Sequence, residues 1–214
     1  MVSHQTRLKN RIKAFLALRG IVLPENYECQ HWSARFMNYL TKLSFQHKPE
    51  AATFSILLRQ LENNRKEQIE ILKLLRNFCN EDERAKSIIK CLLTVPGVGF
   101  KVSVTFYSEI IDMNRFRNND RLNCFIGFSP ATSSSGEKEK VVGITPRKSR
   151  HLRYLLIEAA WIAIRKDPAL LLSFNELSRR MPRNKAIIRI AKKLVSRMRH
   201  VWIQQDQYVT SLIK

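Results

Sequence analysis

The sequence predicts a mainly α protein, and three observations carry that reading. Apolar residues recur at the 3.6-residue helical period through nearly every long segment. Only 6 Gly and 7 Pro punctuate 214 residues, few for a chain built from many turns. No segment alternates apolar and polar residues as a half-buried strand would. The expected architecture is a set of N-terminal helices and a coiled-coil-like helix. A helical domain with a helix-hairpin-helix and an irregular serine loop follows.

The elements follow in chain order. A first helix is expected from about Thr6 to Arg19, ended by Gly20, whose freedom at φ suits the position just past a helix. A second carries Trp32, Phe36, Leu40 and Leu43 on one face, and the two make up a helical linker region over 1–48. Pro49 suits a first helical turn. Behind it Phe54, Leu57, Leu61, Asn64, Gln68, Ile71, Leu75 and Phe78 alternate steps of three and four, the spacing of a coiled-coil seam. That helix, over 49–84, either packs on its own domain or pairs with a second subunit. Central amides at Asn64 and Gln68 would weaken the seam and penalise slipped registers. The charged run "NEDERAK" then leads into a third region, 85–214.

Charge narrows the partners. Lys and Arg number 38 against 18 Asp and Glu, a formal net charge of +20. That excess goes beyond what solubility needs and favours a polyanion, with nucleic acid ahead of a membrane surface. No run of 18 apolar residues exists, and "MVSHQTRLKNRIKAF" lacks the apolar core of a signal peptide, so the expected location is cytoplasmic. Cys29, Cys79, Cys91 and Cys124, like the five histidines, are scattered without metal-ligand spacing. They read as reduced, mostly buried thiols, and no metal site is expected in this chain.

Two stretches suit phosphate contact. "LLTVPGVGFKVSVTFYSEI" reads as helix, Pro-Gly-Val-Gly turn, helix. Gly97 and Gly99 allow backbone conformations closed to other residues. The amides at the new helix N-terminus can hold a phosphate, and Lys101 adds a cation. The bland alternative is a tight turn between packed helices. Further on, Asp167-Pro168 opens a helix, with Asp167 a structural cap. The last long helix turns Ile187, Ile190, Leu194, Met198 and Val201 inward. Lys185, Arg189, Lys192 and Arg199 line another of its faces, flanked by Lys193 and Arg197. With Arg147, Lys148, Arg150 and Arg153 they read as a surface that tracks phosphates.

One stretch, "SPATSSSGEKEK" at Ser129 to Lys140, shows no helical period. Serine-glycine runs commonly act as flexible linkers. A serine hydroxyl becomes a nucleophile only with help from a base, a cation or a metal. No base is adjacent in sequence. Lys138, Lys140, Arg147, Lys148 and Arg150 are cations of the kind that clamp the oxygens of a phosphodiester. On residues alone, linker and nucleophile both stand.

The order of "LLTVPGVGFKVSVTFYSEI", "RFRNNDRLNCFIGFSPATSSSGEKEK", "GITPRKSRHLRYLLIEAAWIAIRKDPALLLSFNELSRRM" and "AIIRIAKKLVSRMRHVW" resembles the C-terminal half of insertion sequence 110/116/902 family transposases, over roughly residues 88 to 205. "RLKNRIKAFLALRGI" and the seam helix resemble that family's linker and coiled coil. The resemblance implies DNA transposition and recombination by a serine that lies just before a glycine and becomes covalently joined to DNA. The matching position is Ser135, before Gly136, with Ser134 and then Ser133 as alternatives. The seam helix is expected to build homo-oligomers, and the resemblance further implies a structured guide RNA and a bacterial, nucleoid-associated setting. An N-terminal nuclease-like domain with four acidic ligands would hold a divalent metal, Mg, and would precede Met1. This chain is then expected to be inactive alone and to carry no cofactor itself. The competing expectation is a non-catalytic helix-hairpin-helix DNA-binding or oligomerisation module.

Overall fold

The computed structural model describes residues 2–23, 32–135, 138–144 and 149–209, with residue 2 and strand residues 130–135 and 138–144 described through their backbone. The chain divides into two units, Met1–Phe78 and Cys79–Lys214.

The first unit contains helices α1 (Val2–Ala17) and α2 (Ala34–Thr41) and most of α3 (Lys48–Glu81). Helix α1 starts about a turn earlier than expected, because Ser3, His4 and Gln5 include no breaker. Gly20 follows it at φ +66, the left-handed conformation expected of a residue past a helix end. Ser33 caps α2, its hydroxyl accepting from Phe36 N at 3.2 Å. Leu8, Ile12 and Leu16 recur every four residues on α1 and pack with Phe36, Met37 and Leu40 of α2 and with Phe54, Leu57, Leu58 and Leu61 of α3. Each such side chain contributes about 1.5–3 kcal/mol by leaving water.

The first half of the expected seam is therefore used inside its own unit. At its centre the buried Asn64 is satisfied locally, its Oδ1 accepting from Gln68 Nε2 at 2.8 Å. Beyond that pair the stripe has no cover within the unit: Ile71, Leu74, Leu75 and Phe78 are exposed, Phe78 at 64%.

The second unit is built from α4 (Glu83–Leu93), α5 (Phe100–Ile110), a 3₁₀ turn at Met113–Arg115, α6 (Asn119–Ile126), strands β1 (Pro130–Ser135) and β2 (Lys138–Ile144), α7 (Arg150–Lys166), α8 (Pro168–Arg180) and α9 (Arg183–Gln204). Helix α9 is its axis: Ile187, Ile190, Leu194, Met198 and Val201 are buried as the period predicts, against α7, α8 and α4. Ala159, Ala160 and Ala163 give α7 a buried face of small residues. Among the described cysteines only Cys91 is buried, Cys79 being partly so and Cys124 exposed. Cys29 lies outside the described residues. No helix of the described residues is long and apolar enough to cross a membrane.

The mainly α class holds, with one correction. The segment expected to be an irregular serine loop is a two-stranded antiparallel ladder, β1 against β2. Ser and Thr accept extended backbone readily, and Val141, Val142 and Ile144 favour it. The serines supply no apolar alternation, so the period that betrays a half-buried strand is missing from the sequence.

Candidate functional site

The Pro-Gly-Val-Gly turn separates the roles of its two glycines. Val95 and Val98 are buried on either side of it. Gly97 has φ +84, and a Cβ built there would stand 2.7 Å from Ala163 N and 2.9 Å from Ala163 Cα, and closer still to the Ala159 carbonyl oxygen. The small-residue face of α7 thus receives the turn backbone to backbone. Gly97 is where the two elements touch, a packing role that its sequence assignment to phosphate did not foresee.

Gly99 is different. It is the N-cap of α5 in extended conformation, φ −98, with no side-chain cap hydrogen bond. Nothing lies within 4 Å of where its Cβ would be. A helix start carries partial positive charge at its first amides, and Gly99 places no side chain in front of those of α5. Lys101 is exposed in that first turn. A cleft of about 390 Å³ beside the turn is lined by Leu93 to Gly99 together with Ile162 and the exposed Lys166 of α7. Sequence reasoning missed Lys166, 67 positions from Gly99 in the numbering. Only the packing of Gly97 on α7 brings it there.

The serine segment has a defined register. Ser135 pairs with Lys138, Ser134 with Glu139, Ser133 with Lys140, Thr132 with Val141 and Pro130 with Ile144, with a shift between Pro130 and Thr132. Directly opposed residues of an antiparallel ladder share a face, and successive residues alternate. Ser135 and Ser133 therefore share a face with Lys138 and Lys140, whereas Ser134 shares the other with Glu139. Ser135 belongs to the last described pair, five strand steps or about 17 Å from Pro130.

Where the strands leave the helical body, three side-chain bonds are made. Arg153 of α7 donates to the Gly127 carbonyl at 3.2 Å, and Gly127 is the left-handed end of α6 at φ 89. Ser149, the N-cap of α7, accepts from Leu152 N at 3.2 Å and donates to Glu109 Oε1 at 3.0 Å. Glu109 went unremarked in the sequence, since it is 40 residues from its partner.

The basic residues are not equivalent. Lys101, Arg150, Lys185 and Arg189 are exposed, and Lys192 is half-buried. Lys193 donates to Ser173 Oγ at 2.8 Å. Arg199, expected on the same open face, is instead tucked inward: its Nη2 donates to the Phe116 carbonyl at 3.2 Å and its Nε is buried. Arg147 and Lys148 lie outside the described residues, as does Gly136. Arg197 is spent internally, in an ion pair with the buried Asp167.

Asp167 is 1% exposed and caps α8, accepting from Ala169 N at 3.0 Å and Leu170 N at 3.2 Å. Its second oxygen takes Arg197 and, at 2.9 Å, the Tyr208 hydroxyl. Burial first, then this hydrogen bond, pushes the Tyr208 phenol above its ordinary value. Tyr208 N also donates to Thr94 Oγ1 at 2.8 Å, tying the segment after α9 to the end of α4. Among the described residues no three His, Cys, Asp or Glu side chains converge as metal ligands would.

Comparison with known proteins places this geometry. The chain is 31% identical over 122 residues to the transposase for insertion sequence element IS1111A of Coxiella burnetii, covering 52% of this chain and 34% of that protein. It is 26% identical over 179 residues to the transposase for insertion sequence element IS1328 of Yersinia enterocolitica, covering 78% of this chain and 47% of that protein. The chain thus spans between a third and a half of these relatives' length. Residues 89–174, from α4 through the Gly97 turn and the serine ladder into α8, match the transposase family IS116/IS110/IS902.

Proposed function

We propose that this chain is the part of a transposase that holds DNA and presents Ser135 to a phosphodiester. In the reaction the serine Oγ forms an ester bond to phosphorus. A P–O bond to the neighbouring nucleotide breaks, and the released oxygen takes up the proton that the serine gives up. The register of the ladder carries this reading: it groups Ser135 with Lys138 and Lys140, cations suited to non-bridging phosphate oxygens, and sets Ser134 opposite Glu139. The exposed Lys101 and Lys166 beside the start of α5, and the exposed Lys185 and Arg189 of α9, would grip the backbone without reading bases. The structured guide RNA that the family resemblance implies belongs to this proposal as a partner. The divalent metal that the resemblance also implies would be held by the family's nuclease-like domain with its four acidic ligands, not by the residues described above.

A denaturing gel of end-labelled DNA tests the reading in a full-length transposase carrying this sequence. Ser135→Ala is expected to abolish the covalent protein–DNA band and strand exchange while changing DNA affinity less than about twofold, because a single hydroxyl adds little to phosphate-dominated binding. Normal exchange by Ser135→Ala would defeat the proposal.

A second reading concerns assembly. Ile71, Leu74, Leu75 and Phe78 continue the three-and-four spacing of α3 past the point where its own unit covers it. The occupant proposed for that stripe is α3 of a second copy, since a seam that continues an already packed one suits a like helix.

A further inference from the structure

We propose that Glu109 and Arg153 are positioning residues that fix the direction of the serine ladder from its base, an inference that rests on the reading of Ser135 as the nucleophile. The ladder joins the helical body at two places. It leaves α6 through Gly127, three residues before Pro130, and it returns at Ser149, five residues after Ile144. Both places are held to the first turn of α7, by Arg153 on the Gly127 carbonyl and by Ser149 as the helix cap. Ser149 and Arg153 are four apart, neighbours on one helical face. Glu109 of α5 braces that turn from the other side through the Ser149 hydroxyl. The clamp thus joins three elements of one unit, α5, α6 and α7, at the root of the strands.

Leverage makes such a clamp necessary. With Ser135 about 17 Å beyond Pro130, a swing of about 10° about that point moves it about 3 Å. A misplacement of about 1 Å is enough to cost on the order of 10²-fold in a positioned reaction. A two-stranded ribbon is marginal by itself, so the direction of its far end must be set where it meets packed helices. Neither Glu109 nor Arg153 need touch the phosphate for its loss to misplace the serine.

Backbone N–H residual dipolar couplings on this chain test the clamp. For Thr132 to Ser135 and Lys138 to Val141 the wild type is expected to follow the same alignment as α5 and α7. Changing Glu109→Ala together with Arg153→Met should reduce the ladder couplings at least twofold and leave those of α5 and α7 unchanged. Glu109→Gln, which keeps an oxygen to accept from Ser149, should retain them. If the double variant disturbs the helices, Ser149→Ala against Ser149→Thr makes the same comparison. Ladder couplings already averaged in the wild type, unchanged in the loosened variants, or lost equally in Glu109→Gln would each overturn the clamp. The readout involves no DNA chemistry, so a failure of Ser135 as nucleophile would leave these couplings as they are and be told apart.

Discussion

Gly97 and Ala163 meet backbone to backbone: a Cβ on Gly97 would stand 2.7 Å from Ala163 N. The residue facing it is helix main chain, which cannot move aside as a flexible side chain does, and the positive φ of Gly97 adds strain to any substitution. Gly97→Ala is therefore expected to lower stability by about 2–4 kcal/mol. Gly99→Ala, with open space and ordinary φ, should change it by less than about 1 kcal/mol. Denaturant melts of the two variants measure the contrast, and equal losses would contradict the packing role assigned to Gly97.

Alkaline stability should report the Asp167–Tyr208 contact. Tyr208 is shifted above its ordinary 10.0 by burial and by its hydrogen bond to Asp167, with Arg197 opposing. Because the folded value lies above the unfolded one, the stabilisation is fully present below about pH 10 and is lost as pH rises through the folded value. Unfolding free energy measured between about pH 9 and 11.5 should fall more steeply in the wild type than in Tyr208→Phe. Tyr107, also shifted upward by burial, contributes to both and cancels. Parallel slopes would remove Tyr208 from the account.

The helices were legible because their cores obey a simple period: Trp32, Phe36 and Leu40 in one unit and Ile187, Ile190, Leu194, Met198 and Val201 in the other are buried on the faces the spacing assigns. Asp167 before Pro168 was legible as a cap, since capping is local. Its partners Arg197 and Tyr208 were not, because contacts 30 and 41 residues away depend on how α8 and α9 fold back. The serine ladder escaped notice because the serines of β1 leave no apolar alternation to read. Glu109 and Lys166 escaped for the same long-range reason as Arg197. Gly97 was legible as a turn glycine, but its backbone contact with Ala163 of α7 was not.

DNA binding should separate the exposed cations from the tucked one. Removing Lys185 and Arg189 together is expected to reduce the slope of log K against log salt by about 2 for duplex DNA, if each meets one phosphate. Arg199→Met should instead leave the slope within about 0.5 and lower thermal stability, because its guanidinium holds the Phe116 carbonyl. Fluorescence anisotropy at several salt concentrations gives both slopes. A large slope change for Arg199 alone would reverse the assignment.

Self-association should depend on the far half of α3 and not the near half. Leu75→Asp with Phe78→Asp is expected to shift light-scattering mass toward a single chain while leaving the helical signal within about 10%, since both side chains are exposed. Leu61→Asp, fully buried in the first unit, should unfold that unit instead, at a cost of several kcal/mol. An unchanged oligomer in the double variant would remove α3 as the contact.

The central claim is that Ser135 takes the phosphate. The most direct measurement is mass spectrometry of the covalent adduct trapped on DNA by a full-length transposase carrying this sequence, after nuclease digestion to a residual nucleotide. The nucleotide is expected on Ser135 and not on Ser134, which the ladder sets opposite Glu139. A nucleotide on Ser134, or exchange-competent enzyme with no modified residue between 129 and 144, would contradict it.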